Sequence, residues 1–251
     1  MTLLPPEVGP LLALGLAAAS LGTSLIAAAF GLGGGAILLG LLAAALPPAA
    51  LIPVHGLVQL ASNAGRAALM LREVEPAPLG AFALGAVAGA ALGGLVAVEL
   101  PPGAVQVLVG LFLLWSVAAR PPAWIARTGP LAGAASSFLT MFVGATGPFV
   151  AAWVKTLKLP RTRHVATHAA MMTLQHLLKS LVFGLFGFAF APWLGLVAAM
   201  ALAGFVGTLI GRRLLLRLDE RLFGRVLVAI LILIALRLLW TGGAALLAGR
   251  G

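Results

Sequence analysis

HGLVQLASNAGR, residues His55–Arg66, and HAAMMTLQHLLK, residues His168–Lys179, place similar side chains at the same spacing within two apolar stretches. The shared positions are i, i+4, i+7, i+8 and i+11, which line one face of an α-helix about 16 Å long. We name these the first polar face, with His55, Gln59, Ser62, Asn63 and Arg66, and the second polar face, with His168, Met172, Gln175, His176 and Lys179. Such groups are costly to bury in apolar surroundings, so their repetition predicts a pathway for a charged or strongly polar solute.

The composition predicts an all-α, polytopic integral membrane protein. Apolar residues make up 62% of the 251 positions and charged residues 9%, and the mean hydropathy is +1.14, which is far above that of a soluble domain. Two of the apolar segments, 36–46 and 149–158, are too short to cross a hydrocarbon core of about 30 Å, so we predict that they belong to broken or re-entrant hairpins. The ten expected segments are 9–30, 36–46, 49–71, 78–98, 103–119, 130–143, 149–158, 165–187, 192–211 and 222–240.

The two halves of the chain match each other beyond the polar faces. Residues recur 113 positions apart (168 − 55) as far as the polar faces, and 115 apart (195 − 80) after them. The further pairs are Gly31 with Gly144, Gly34 with Gly147, Pro47 with Pro160, Gly80 with Gly195, and Gly89 with Gly204. Because each half crosses the membrane an odd number of times, this duplication predicts two inverted-topology repeats of about five helical segments, 1–125 and 126–251, within one transmembrane domain.

Basic residues are distributed unevenly between the connections. If the connections alternate between the two membrane sides, one side receives eleven basic residues and the other only Arg250. The eleven are Arg72, Arg120, Arg127, Lys155, Lys158, Arg161, Arg163, Arg212, Arg213, Arg217 and Arg221. We expect the basic side to be the cytoplasm, which places both termini outside. Topology and contact with anionic lipid head groups then account for the net charge of +10, and we expect no nucleic-acid partner.

Glycine-rich breaks precede the two short segments. They read FGLGGGA at Phe30–Ala36 and VGATGPF at Val143–Phe149. Each break can expose backbone N–H groups at the start of a helix, where the helix dipole favours an anion. The alternative is that these glycines only allow neighbouring helices to pack closely. The predicted substrate-binding residues at the breaks are Gly33, Gly34, Gly35, Thr146 and Gly147.

The polar faces supply the other predicted substrate-binding residues. These are His55, Gln59, Ser62, Asn63, Arg66, His168, Gln175, His176 and Lys179. The neutral side chains have an alternative role as hydrogen-bond partners between helices. For Arg66 and Lys179 the alternative is extension toward the nearest membrane surface. If both cations point inward, the lining has a cation near each mouth and hydrogen-bond donors between them, which suits an anion.

The sequence predicts no enzyme activity, no cofactor and no metal site. All six carboxylates fall in loops or at segment ends, so none is expected to bind Na⁺ or relay protons at the membrane midplane. Any proton coupling would have to use His55, His168 or His176. The chain has no cysteine, no HExxH motif and no Ser–His–carboxylate set with a buried acid.

FGLGGGA, the prolines Pro47 and Pro48, and HGLVQLASNAGR together resemble the TauE/SafE family of prokaryotic membrane permeases. The pattern recurs in the second half, with GATGP in place of a second FGxGGG-like break, so the resemblance covers nearly the whole chain. It implies transport of sulfur-containing anions, such as sulfite, sulfoacetate or sulfonates, across the prokaryotic cytoplasmic (inner) membrane. We therefore predict an anion permease that works by alternating access, and a homo-oligomer is compatible with the sequence. The alternatives are a membrane-embedded enzyme acting on anionic lipid phosphates and an anion channel.

Overall fold

The computed structural model describes residues 4–30, 33–97, 100–120, 122–214 and 220–249, and the side chains of these residues except 29–30, 126, 212–214 and 220–227. Gly31, Arg217 and Arg250, and the side chains of Arg212, Arg213 and Arg221, lie outside the described residues. The described residues form helices and no strand, which confirms the predicted all-α class.

Ten α-helices form within the described ranges, in the order that the sequence predicts. They are α1 (Pro10–Phe30), α2 (Gly34–Ala45), α3 (Pro48–Leu69), α4 (Pro76–Ala97), α5 (Pro102–Ala118), α6 (Gly129–Val143), α7 (Gly147–Thr156), α8 (Arg161–Leu185), α9 (Leu194–Leu214) and α10 (Glu220–Leu247). Proline opens α3 and α5, where its missing N–H costs nothing and its fixed φ suits a first turn. The largest differences from prediction are the start of α8, at 161 instead of 165, and the end of α10, at 247 instead of 240. The start of α8 is earlier because the polar residues 161–164 also form helical hydrogen bonds, and α10 continues through residues 241–247, beyond the predicted segment.

The helices pack mainly in four pairs: α1 with α9, α4 with α6, α5 with α10, and α3 with α8. Glycines permit the closest approaches. Gly89 of α4 lies directly against the carbonyl of Ala134 in α6, and Gly207 of α9 lies directly against the carbonyl of Leu21 in α1, so a Cβ would clash at either position. If α1 to α5 are exchanged in order with α6 to α10, the pair of α1 with α9 becomes the pair of α6 with α4. The pairs of α3 with α8 and of α5 with α10 are unchanged, so the four pairs form the same set after the exchange.

The helix lengths fit a polytopic membrane protein. Four stretches of the described chain are long and apolar enough to cross a bilayer: Pro10–Ala28, Pro76–Ala97, Ala191–Gly211 and Val228–Leu247. In contrast, α2 has 12 residues and α7 has 10. At 1.5 Å per residue these two helices are about 18 and 15 Å long, roughly half the thickness of the hydrocarbon core.

Three connections that the sequence places on one side, α3–α4, α5–α6 and α7–α8, meet at one end of the helix bundle. Arg163 in the first turn of α8 contacts Glu75 at 2.5 Å and Glu73 at 3.6 Å in the α3–α4 connection. Trp153 near the end of α7 packs against Gly129 at the start of α6. We name this the basic end; the last residue of α8 lies about 36 Å farther along that helix, at the opposite end.

Candidate functional site

The two polar faces meet where α3 packs against α8. The ring centroids of His55 and His176 lie 6.1 Å apart, and Gly56 lies against the side chain of Lys179. Toward the basic end, Arg66 and His168 line the same cavity. The start of each face therefore meets the end of the other, which makes the two faces antiparallel.

A cavity of about 570 Å³ lies toward the basic end, and we name it the open cavity. It extends to the exposed side chain of Arg161, the first residue of α8. Its polar side chains are Thr23, Ser24, Gln59, Ser62, Asn63, Arg66, Ser116, Arg161, His168 and His176. At about 30 Å³ per water molecule, this space can hold a small solute together with part of its hydration shell.

The charged side chains of the open cavity are cationic. Arg66 and Arg161 line it, and none of its lining residues in the described chain is Asp or Glu. Arg66 is 7% exposed, and its buried Nε has no hydrogen-bond partner, so the protein does not fully satisfy this guanidinium. Because an unpaired buried charge is costly, an anion in the cavity would offset part of that cost.

A histidine from each polar face holds the glycine-rich break of its own half. Nε2 of His55 donates to the carbonyl of Gly35 at 3.0 Å, and Nε2 of His168 donates to the carbonyl of Gly147 at 3.2 Å. The break before α2 turns at Gly33, whose φ of 94° lies in the left-handed region that favours glycine. The first residues of α2 and α7 line the open cavity, so the positive ends of two helix dipoles lie at its wall.

A second group of polar side chains lies farther toward the opposite end and is fully buried. We name it the sealed cluster; its members, each 0% exposed, are Ser136, Ser137, Thr140, Thr146, Gln175 and Lys179. The Gln175 amide links three helix segments. Its Nε2 donates to Ser136 Oγ at 2.9 Å and to Ser137 Oγ at 3.3 Å. Its Oε1 accepts from Thr146 Oγ1 at 3.1 Å.

Lys179 brings an amino group to the sealed cluster. Its Nζ donates to the carbonyl of Gly144 at 3.4 Å, and Lys179 forms no ion pair with any carboxylate of the described residues. Gly56 of α3 makes room for this side chain, since a Cβ there would lie 2.8 Å from Lys179 Cε. Lys179 and Arg66 therefore both point into the protein, and neither extends to the membrane surface.

The structure divides the fourteen predicted site residues into two groups. Ten line the open cavity: Gly33, Gly34, Gly35, Gln59, Ser62, Asn63, Arg66, Gly147, His168 and His176. The other four do not. His55 lies beside His176, and Thr146, Gln175 and Lys179 belong to the sealed cluster.

Four polar residues of the open cavity were not among the predicted site residues: Thr23, Ser24, Ser116 and Arg161. The internal repeat carries a signal for two of them, because Thr23 and Ser24 stand 113 positions before Ser136 and Ser137 (136 − 23). Arg161 was assigned only to membrane topology, and Ser116 has no sequence signal.

The family model described as "Sulfite exporter TauE/SafE" matches residues 16–238. That span contains both glycine-rich breaks, both polar faces, the open cavity and the sealed cluster. The chain belongs to the TauE/SafE family. This confirms the resemblance predicted from the sequence, and TauE/SafE membership supports a transporter. No curated protein and no solved structure matches this TauE/SafE chain.

Proposed function

We propose that this TauE/SafE protein is an alternating-access permease for small anions and that the open cavity is its substrate site. Arg66 carries the proposal, because a buried guanidinium with a free Nε lines a cavity whose described residues include no carboxylate. Sulfite and organosulfonates such as sulfoacetate are the proposed substrates. Their oxygen atoms can accept charge-assisted hydrogen bonds from Arg66 and neutral ones from Gln59 and Asn63.

The proposed architecture is two inverted repeats, 1–125 and 126–251, with α2 and α7 as half-helices of re-entrant hairpins. Two observations support it. The four main helix pairs are unchanged as a set when the halves are exchanged, and His55 and His168 make similar hydrogen bonds to the two glycine-rich breaks, one residue apart in register. Half-helices whose N-termini face a central site are a recurring arrangement in transporters with inverted repeats.

The proposed orientation places the basic end in the cytoplasm of a prokaryotic cell and both termini outside. Its support is the group of basic residues at the three connections that meet at this end. The open cavity then faces the cytoplasm. Anionic lipid head groups are the proposed partners of the exposed basic residues.

The sealed cluster favours a carrier over an anion channel. A channel needs a continuous path between the two faces, whereas fully buried side chains lie between the open cavity and the opposite end. A membrane enzyme acting on lipid phosphates would need an acidic residue beside its phosphate-binding cation. The described lining around Arg66 contains none.

A thermal-shift screen of the purified protein tests the site. A ligand that binds only the folded state raises the melting temperature by mass action. Sulfite or sulfoacetate should raise it more than chloride at equal ionic strength, and Asn63→Ala should reduce that rise. Thr241→Ala, at an exposed position on α10, is the control and should preserve the rise. Equal shifts with all anions, or a full shift in Asn63→Ala, would show that the site is assigned wrongly.

A further inference from the structure

The open cavity and the sealed cluster use equivalent positions in the two halves of the chain. At the offset of 113, the pairs that link the two sites are Thr23 with Ser136, Ser24 with Ser137, Ala27 with Thr140, Ser62 with Gln175, and Arg66 with Lys179. The first member of every pair lines the open cavity. The second member is fully buried in every pair. The sealed cluster is therefore the second half's counterpart of the cavity wall.

Next to the sealed cluster lie buried polar atoms that the protein itself does not satisfy. His176, at its border with the open cavity, has no hydrogen-bond partner on either ring nitrogen, and Ser180 Oγ in the next turn has none. The Lys179 ammonium makes a long hydrogen bond of 3.4 Å to one carbonyl. Buried donors and charges left in this condition are destabilising, so a cluster that served only to pack helices would be expected to use apolar side chains.

We infer that the sealed cluster is a second anion-binding site, which opens toward the opposite end of the bundle when the open cavity closes. This inference rests on the proposed permease function. In the second state Lys179 takes the place that Arg66 holds in the first, and the Gln175 amide turns from Ser136 and Ser137 to the anion. The ligand class is the same, a small oxyanion or sulfonate, because the donors are again one cation with neutral amide and hydroxyl groups.

Cysteine accessibility can test this inference, because the chain contains no native cysteine. Ser24→Cys reports on the open cavity and Ser137→Cys on the sealed cluster, and both changes are nearly isosteric. Ser20→Cys is the matched buried control, since Ser20 is 1% exposed and bonds to the carbonyl of Met200 at 2.7 Å, outside both sites. Thr162→Cys and Ala191→Cys, at exposed positions near the two ends of α8, report which side the reagent reaches.

Each variant is reconstituted into vesicles and treated with a membrane-impermeant maleimide from one side at a time. Ser24→Cys should react only from the side that labels Thr162→Cys. Ser137→Cys should react only from the side that labels Ala191→Cys, and at least about tenfold faster than Ser20→Cys. Labelling of Ser137→Cys from the same side as Ser24→Cys, or at the rate of Ser20→Cys, would overturn the inference. Thr140→Cys repeats the test if Ser137→Cys is not stably folded.

Anion protection tests the ligand class of the sealed cluster. Sulfite or sulfoacetate, added on the side that labels Ala191→Cys, should slow labelling of Ser137→Cys at least twofold, and adding Lys179→Gln should abolish that protection. Protection by neither anion, or protection that survives Lys179→Gln, would reject the second anion site. The labelling itself requires no transported substrate. Opposite-side labelling in a protein that transports neither anion would therefore reject the permease, whereas anion transport with same-side labelling would reject only the sealed cluster.

Discussion

The Arg66 end and the Lys179 end of the α3–α8 contact have matching sequences and different environments. Arg66 lines a cavity of about 570 Å³ that reaches an exposed residue, whereas Lys179 is fully buried between the second glycine-rich break and Gly56. The repeated sequence thus gives both ends similar chemistry, while packing makes only one of them accessible. For the proposed permease, this difference is what distinguishes the side that admits the anion from the side that is closed.

The largest effect is expected from removing the cation of the open cavity. Arg66→Gln should weaken sulfite binding about 10- to 100-fold, because a hydrogen bond to a charged group contributes about 1.5–3 kcal/mol. Arg161→Gln is the control, and its effect should be smaller because exposed charges are screened by solvent. The dissociation constant can be measured by isothermal titration calorimetry. Equal losses in both variants would mean that Arg66 has no special role.

Lys179→Met distinguishes the role of the Lys179 end from that of the Arg66 end. In the state with an open cavity, this change should alter the sulfite dissociation constant less than about twofold, because Lys179 does not line that cavity. It should nevertheless lower transport at least about tenfold, and it should not lower the melting temperature, because replacing a buried ion with an apolar side chain is often neutral or stabilising. Calorimetry, vesicle uptake and a melting curve test the three parts. A loss of affinity as large as that of Arg66→Gln would show that both cations act in one site.

Substituting glycines behind the Arg66 end and the Lys179 end should reduce stability by different amounts. Gly89→Ala would press on the backbone carbonyl of Ala134 behind the sealed cluster, and should cost about 1–3 kcal/mol of stability. The equivalent change, Gly204→Ala, would meet Ser24 Oγ at 2.8 Å and Ser20 Oγ at 2.9 Å behind the open cavity. Hydroxyl groups can rotate away and a carbonyl cannot, so Gly204→Ala should cost less. Melting temperatures that rank the two variants the other way would contradict this account.

The smallest effect is expected at the glycine-rich breaks. A Cβ added at Gly35 would lie directly against the Gln59 amide, whereas one added at Gly147 would approach no atom closer than His168 Nε2 and Met172 Cε, each at 3.9 Å. Gly35→Ala should therefore weaken sulfite binding several-fold, and Gly147→Ala should weaken it less. A pair of thermal-shift titrations gives the comparison. A larger loss in Gly147→Ala would mean that the displaced Gln59 amide does not contribute to binding.

Much of the fold could be predicted because the sequence marks it locally. The prolines at 48 and 102 open α3 and α5 where the apolar segments begin, and the spacing of the polar faces identified both helices that line the central contact. The start of α8 was placed four residues too late because Arg161 and its neighbours are polar although helical. An apolar pattern marks the part of a helix that lies in hydrocarbon, and it does not show where the helical hydrogen bonds begin or end.

The division into an open cavity and a sealed cluster could not be predicted. Thr23 illustrates one reason: its Oγ1 bonds to Ala19 in its own helix at 2.8 Å, so its sequence context is that of an ordinary packing hydroxyl. Gln175 illustrates the other. Its partners Ser136, Ser137 and Thr146 are distant in sequence. Because the two polar faces have similar sequences, neither sequence shows which face is buried by other helices.

Uptake of radiolabelled sulfite into proteoliposomes tests most directly whether the open cavity carries an anion across the membrane. The wild-type protein should give saturable uptake, and Arg66→Gln should lower its initial rate at least about tenfold, corresponding to about 1.4 kcal/mol. Asn63→Ala and Gln175→Ala should lower the rate too, with unchanged membrane insertion. Wild-type uptake of sulfite and sulfoacetate no faster than in empty liposomes, or a full rate in Arg66→Gln, would contradict the account.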